Sequence, residues 1–140
     1  MKVLISYGST TGNTQSMAEE LVNKLGAKGL DVTIKNVTET EAGDLNEFDF
    51  YLFGCSTWGN GELQDDFDAF VPTLEGADMS GKKCAVFGLG ETSWPDFCAS
   101  VDIIEKILKE GKAEVLDHIR IDGDYTAFYS EIDEWLGKLF

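Results

Sequence analysis

The chain has 140 residues, of which 43% are hydrophobic, and this length and composition predict one domain, residues 1–140, with a core of its own. Its 26 acidic and 11 basic residues give a formal net charge of −15, which argues against nucleic acid or an anionic membrane as a partner. The sequence has no apolar run near the ~20 residues of a membrane span and no signal-peptide pattern, so we expect a cytoplasmic protein.

The first strand is predicted at residues 3–7, and Gly8 closes it. An uncharged stretch follows, with Ser9, Thr10, Thr11, Gly12, Asn13 and Thr14, and a helix is predicted from about residue 13 to Gly29. The first N–H groups of a helix have no internal partner, and the helix dipole places partial positive charge there. Six such residues after a buried strand favour a phosphate site over a simple helix cap.

A second strand is predicted at residues 31–36, and the acidic stretch 38–46 is expected to be a surface connection. Residues 50–55 form an unbroken apolar run, which suits a strand covered on both faces. A glycine-rich loop comes next, and the helix after it points four apolar side chains inward, Phe67, Phe70, Val71 and Leu74.

The second half repeats this alternation of strand and helix. A strand at residues 84–87 precedes a loop at 89–96, and the next helix carries Val101, Ile104 and Leu108 to a stop at Gly111. A fifth strand is predicted at residues 115–121. The last helix carries apolar residues at helical spacing, namely Phe128, Ile132, Trp135, Leu136 and Leu139.

Five predicted strands, four of which are followed by a helix, predict an α/β three-layer sandwich, in which a five-stranded parallel sheet of order 2-1-3-4-5 is covered by helices on both faces. In that order the loops after strands one, three and four meet at one crevice. Two of these loops each hold a tryptophan, Trp58 and Trp94. A phosphate site beside two loop tryptophans indicates a planar heterocycle that bears a phosphate.

Three segments in this order resemble the short-chain flavodoxins of sulfate-reducing and other anaerobic bacteria. They are the stretch 9–14, the stretch 54–59 with Cys55 and Trp58, and the stretch 88–98. The resemblance covers essentially the whole chain. It implies a flavodoxin-like fold, a noncovalently bound FMN, and a low-potential one-electron carrier that shuttles between semiquinone and hydroquinone and is not an enzyme.

The resemblance also implies a role for each matching position. Ser9, Thr10, Thr11, Gly12, Asn13 and Thr14 would hold the phosphate, and Trp58 and Trp94 would cover the two faces of the isoalloxazine. Gly59 and Asn60 would lie beside flavin N5, while Gly90, Glu91 and Cys98 would edge the pyrimidine ring. Further cofactor contacts are expected at Ser56, Thr57, Gly61, Leu89 and Phe97, and no metal site is expected.

The acidic surface predicts redox partners with basic docking surfaces, and the resemblance implies ferredoxin-type reductases, oxidoreductases or hydrogenases as these partners and a monomeric carrier. The main alternative is an FMN-dependent NAD(P)H:quinone reductase of similar fold. A purely structural binding module is a second one. Cys55, Cys84 and Cys98 are too far apart for a paired motif and are expected to be free thiols, and His118 is expected at the surface or a strand end.

Overall fold

The computed structural model describes residues 1–9, 12–58, 62–90 and 99–140. Its helices are α1 (Asn13–Ala27), α2 (Asp65–Glu75), α3 (Ala99–Glu110) and α4 (Tyr129–Leu139). Its strands are β1 (Lys2–Gly8), β2 (Asp31–Asn36), β3 (Phe50–Trp58), β4 (Glu62–Leu63), β5 (Lys83–Gly90) and β6 (Glu114–Asp122).

Five of the strands form one parallel sheet in the order β2-β1-β3-β5-β6, which confirms the predicted order 2-1-3-4-5. The additional strand, β4, pairs antiparallel with the end of β3, where Thr57 lies opposite Leu63 and Trp58 opposite Glu62. Two residues are too short to give a strand pattern in the sequence, so this hairpin was not predicted.

The sheet separates two hydrophobic clusters, as the unbroken apolar strands predict. One cluster packs α1 and α4 on one face and includes Leu21, Trp135 and Phe87. The other packs α2 and α3 on the opposite face and includes Phe67, Ile104 and most of the alternate residues of β3. The predicted inward side chains of α2, α3 and α4 are buried in these clusters except Val71, Phe128 and Leu139, which are partly buried; Phe128 lies just before α4.

The predicted surface connection at residues 38–46 is exposed at six of its nine residues, but it is more ordered and more buried than a simple surface loop. This segment lies within and between two 3-10 helices, Val37–Glu39 and Ala42–Asn46, and three of its side chains are buried, Thr40, Asp44 and Leu45. Leu45 joins the α2–α3 cluster. Asp44 tolerates burial because its carboxylate accepts hydrogen bonds from Lys35 Nζ at 3.0 Å and from the Glu41 N–H at 2.9 Å.

The outer strand β6 is tied to α3 by charged side chains. His118 lies in the middle of this strand rather than at its end, partly exposed as expected for a surface residue, and its Nδ1 is 2.5 Å from Glu105 Oε1. Arg120 Nη2 is 2.5 Å from Asp102 Oδ1. The register with β5 shifts between Cys84 and Ala85, and this bulge leaves Leu116 without an opposite residue.

Candidate functional site

The carboxyl ends of β1, β3 and β5 lie side by side at one edge of the sheet. Gly8 is paired with Cys55, and Cys55 is paired in turn with Gly88. The three segments that sequence analysis selected begin at these ends, so their starting points converge as expected. In open parallel sheets this edge is where ligands bind.

The N-terminus of α1 lies directly after β1. Gly12 is its N-cap residue with φ of 92°, a left-handed conformation that glycine adopts without strain, and the Gly12 N–H donates to Ser9 Oγ at 3.1 Å. Among the described residues no side chain caps this helix, and its first turn has no acidic residue. The N–H groups of this turn therefore provide a positive, uncapped helix end that suits an anion.

The N-terminus of α2 provides an internal comparison. Its N-cap side chain is Gln64, whose Oε1 accepts a hydrogen bond from the Phe67 N–H at 3.1 Å. Its first turn carries three aspartates, Asp65, Asp66 and Asp68. These groups already satisfy the free amides and the dipole of α2. An anionic ligand at this edge is therefore favoured at α1 and repelled at α2.

A hydroxyl pair joins the phosphate segment to the segment that ends β3. Thr14 is fully buried in the first turn of α1, and its Oγ1 lies 2.7 Å from Ser56 Oγ. Ser9 and Ser56 are half-buried, whereas Asn13 is exposed. The structure thus brings Ser9, Gly12, Thr14 and Ser56 together into one uncharged, hydroxyl-lined group beside the helix end.

The third segment begins at the end of β5. The Leu89 side chain is buried in the α1–α4 cluster, so any contact it makes with a ligand must come through its backbone. Gly90 is half-buried, and its carbonyl oxygen accepts a hydrogen bond from the Gly123 N–H at 2.7 Å. The end of β5 is thereby held against the turn that follows β6.

Several predicted positions lie partly or wholly outside the described residues. For Thr57 and Trp58 only the β-strand backbone is described, which places both at the end of β3. The remaining predicted positions lie outside the described residues, namely Thr10, Thr11, Gly59, Asn60, Gly61, Glu91, Trp94, Phe97 and Cys98. The contacts assigned to these positions stay predictions.

Sequence reasoning missed a buried polar group beneath this edge, which we call the junction and define as Gly8, Cys55, Gln64 and Ser100. The Gln64 backbone and the Ser100 side chain both form hydrogen bonds with the Cys55 thiol, while burial raises the thiol pKa to about 12. A Cβ built on Gly8 would overlap Gln64 Oε1. No spacing in the sequence signals the junction, because its four residues come from separate segments of the chain.

Two other classes of site find no support in the part of the chain that is described. No helix there combines the length and the apolarity that crossing a bilayer requires. No group of three or more histidine, cysteine or acidic side chains is placed there to bind a metal ion.

Comparison with known proteins identifies the family. The family model described as flavodoxin matches residues 5–135. A flavodoxin of Maridesulfovibrio salexigens is 50% identical over 127 residues, which span 88% of this chain and 87% of that protein. A flavodoxin of Nitratidesulfovibrio vulgaris is 40% identical over 141 residues, which span 98% of this chain and 95% of that protein.

Solved structures agree with this result. The oxidised flavodoxin 2 of Bacillus cereus superposes with a TM-score of 0.85 at 34% identity, and the match covers 100% of both chains. A Fusobacterium nucleatum flavodoxin bound to flavin mononucleotide shares the fold, with a TM-score of 0.75 at 22% identity over 82% of this chain and 68% of that one. The chain therefore belongs to the flavodoxin family, whose members are FMN-bearing electron-transfer proteins and not enzymes.

Proposed function

We propose that this electron carrier holds FMN at the carboxyl edge of the sheet, with the phosphate at the N-terminus of α1. The isoalloxazine then lies between the segments that follow β3 and β5. The observation that carries this proposal is the difference between two helix ends. That of α1 has no side-chain cap among the described residues and no acid, while that of α2 has Gln64 and three aspartates.

The proposed phosphate site is uncharged, and this affects the reduction potential of the bound flavin. FMN supplies the one-electron chemistry when it is bound. Ser9, Gly12, Asn13 and Thr14 bring hydroxyl, amide and backbone groups but no cation, so the phosphate charge stays uncompensated. The aspartates of α2 add further negative potential at the same edge. Negative potential in a site of low dielectric constant opposes the addition of electrons, which supports a low reduction potential.

The phosphate placement is tested by comparing FMN with riboflavin, which lacks the phosphate. Thr14→Val removes the hydroxyl that bonds to Ser56 and keeps the shape of the side chain. A lost hydrogen bond to a charged group weakens binding by about 1.5–3 kcal/mol, roughly 10- to 100-fold. We expect this loss for FMN and less than a threefold change for riboflavin when each is titrated into the apoprotein.

Thr38→Val is the matched control, because the Thr38 hydroxyl bonds to Asn36 in an exposed position. Thr38→Val should leave the affinities for FMN and for riboflavin unchanged. Equal losses of FMN and riboflavin affinity in Thr14→Val would contradict the placement of the phosphate at this helix end.

The family assignment does not favour the alternative of a quinone reductase. A carrier passes electrons between other redox proteins, so the FMN-loaded chain should not oxidise NADH or NADPH in the presence of a quinone until a reductase is added. Turnover of pyridine nucleotide by the purified chain alone would restore the alternative.

We further propose that the redox partners dock through basic surfaces, as reductases, oxidoreductases or hydrogenases of the ferredoxin-linked type would, and that residues 1–140 act as a single-domain monomer in the cytoplasm. The net charge of −15 supports a cationic partner. The unpaired, buried Cys55 and Cys84 are consistent with a reducing compartment. Sedimentation equilibrium tests the monomer, and a stable dimer at micromolar concentration would refute it.

A further inference from the structure

The segments that would hold the two ends of FMN belong to different elements, and the junction lies between them. The phosphate segment continues from β1 through Gly8 into α1. The end of β3 pairs with β4 in the β3–β4 hairpin, and β4 leads directly into Gln64 and α2. These two parts of the site are therefore separate in sequence and need a physical connection if they are to bind one ligand as a unit.

Gln64 makes contacts with both parts. Its side chain is 1% exposed, and it fixes the start of α2 through the Phe67 N–H at 3.1 Å and Asp66 Oδ2 at 3.2 Å. The same side chain occupies the space that a Cβ on Gly8 would need. Its backbone bonds to the Cys55 thiol at the end of β3.

The packing at Gly8 leaves little freedom for this arrangement. A Cβ there would also lie 3.1 Å from Phe67 Cβ and 3.2 Å from Phe67 N, so the start of α2 is pressed against the backbone of β1. Cys55 extends the contact to Ser100 in the first turn of α3, and Ser100 is fully buried. Gln64 therefore contacts the end of β1, the end of β3 and the start of α2 at the same time.

We propose that Gln64 is a positioning residue that couples the phosphate-binding segment to the β3–β4 hairpin. Its contact with Gly8 fixes the distance between the two parts, so that binding at one part prepares the other. This inference rests on the proposed placement of FMN. It predicts that removal of the Gln64 side chain lowers the coupling between the two parts and leaves the affinity of each part alone nearly unchanged.

The experiment measures that cooperation directly, with inorganic phosphate and riboflavin as separate probes of the two parts. In the apoprotein, saturating phosphate should raise the riboflavin affinity, and the factor of increase is the coupling. We expect a coupling of at least fivefold in the native chain and less than twofold in Gln64→Leu. The affinity of each probe measured alone should change by less than threefold.

Two further variants separate positioning from general destabilisation. Tyr51→Phe loses the hydrogen bonds of a buried hydroxyl at the other end of β3, to the Asp44 carbonyl oxygen and from the Phe48 N–H, and should keep the native coupling. Gly8→Ala should reduce the coupling because its methyl group displaces Gln64. In the double variant Gly8→Ala/Gln64→Ala the overlap with Oε1 is gone and only the tight contacts with Phe67 remain, so Gly8→Ala should reduce the coupling less there than in the native chain.

The outcomes distinguish the two proposals. If native apoprotein binds riboflavin and phosphate with coupling and Gln64→Leu retains that coupling, the role of Gln64 is refuted while the FMN site stands. If Tyr51→Phe loses coupling as fully as Gln64→Leu, the effect is general destabilisation and the inference fails. If phosphate binds the native chain without affecting riboflavin, the inference fails while the phosphate site stands. If phosphate does not bind the native chain, the placement of the phosphate itself is overturned.

Discussion

At the scale of single residues, the buried carboxylate of Asp44 shows how a charged group is accommodated in the connection between β2 and β3. The Glu41 N–H and then Lys35 lower the pKa of Asp44 below its ordinary value, although burial acts in the opposite direction. A lowered folded-state pKa means that the ionised form stabilises the fold. This stability is complete above the unfolded pKa of about 3.9 and is lost as the pH falls through the lower folded value.

Asp44→Asn tests this role. At pH 7 the variant should lose about 1–3 kcal/mol of unfolding free energy, since it weakens a charged hydrogen bond and the pair with Lys35. The difference from the native chain should shrink as the pH falls below about 4, because the unfolded carboxylate then takes up a proton, and it should vanish once the pH has passed the lower pKa of the native carboxylate. Urea unfolding curves between pH 7 and pH 3 measure this difference.

Leu45→Ala is the control for that experiment, because it loosens the same connection by about 2–5 kcal/mol without removing a carboxylate. Its difference from the native chain should not depend on pH. A difference for Asp44→Asn that stays constant down to pH 3 would show that the charge of Asp44 is not stabilising.

The two described cysteines give a second prediction at this scale. Burial raises the pKa of Cys55 and the pKa of Cys84 to about 12, so both thiols stay protonated and unreactive below that pH. In a Cys98→Ala background, a disulfide reagent at pH 8 should label neither thiol in the folded chain and both after unfolding in guanidinium. One rapidly labelled thiol per folded chain would contradict the burial of these side chains.

At the scale of secondary-structure elements, the close pairing of β3 and β5 depends on a missing side chain. Gly54 pairs with Phe87, and a Cβ on Gly54 would overlap the ring of that buried phenylalanine. We expect Gly54→Ala to destabilise the fold by about 1–3 kcal/mol, the usual cost of overpacking a core. Urea unfolding measures the change.

Gly137→Ala provides the matched control, because Gly137 lies inside α4 and a Cβ there meets no atom within 4 Å. Alanine favours a helix over glycine by about 0.8–1.0 kcal/mol, so this variant should be more stable than the native chain. Equal effects of the two substitutions would mean that Phe87 moves aside without cost.

The sequence predicted the elements well because their signals are local. Unbroken apolar runs such as residues 50–55 identified the central strands, and helical spacing placed Phe67 and Trp135 in the core, where the structure has them. The burial of Asp44 in the connection at residues 38–46 was not predicted, because it depends on Lys35 and on the Glu41 amide. The junction was missed for the same reason, since Gly8 and Gln64 meet only after folding.

Part of the candidate site was also predicted from the sequence. The hydroxyl residues Ser9, Thr14 and Ser56 were selected from sequence, and the structure gathers them at the helix end. The cap of α2 could not be inferred, because glutamine is not a preferred capping residue, and neither could the lack of a side-chain cap on α1 within the described part of the chain.

At the scale of the whole molecule, cations and anions are distributed unequally between the two edges of the sheet. Five lysines lie at the amino edge of the sheet. They occupy the first residue of β1 and of β5 and the last turns of α1, α3 and α4, namely Lys2, Lys24, Lys83, Lys109 and Lys138. At the carboxyl edge, the two basic residues Lys35 and Arg120 are paired with Asp44 and Asp102. The proposed flavin edge is therefore the more negative one.

This asymmetry predicts where a basic partner docks. Asp65→Asn/Asp68→Asn reduces the negative charge at the carboxyl edge, and we expect electron transfer to a cationic redox protein to slow several-fold at low ionic strength. The dependence of the rate on salt should also become shallower. Stopped-flow kinetics over a range of salt concentrations give both quantities.

Glu110→Gln/Glu114→Gln makes the same change in net charge at the end of α3 and the start of β6, near the amino edge. This control should alter the rate much less. Equal slowing by the two double variants would show that net charge alone, without an oriented approach, governs the association.

The bulge at Leu116 in β6 has a consequence for self-association of the chain. An open parallel sheet ends in strands whose outer N–H and C=O groups can template a further strand, which is how fibrils grow. The extra residue in β6 interrupts the regular ladder that such growth requires, and the strand also carries Asp117, His118 and Arg120. A second protein molecule that paired with β6 would have to leave some backbone hydrogen bonds unmade. The bulge therefore disfavours polymerisation of the chain through this outer strand.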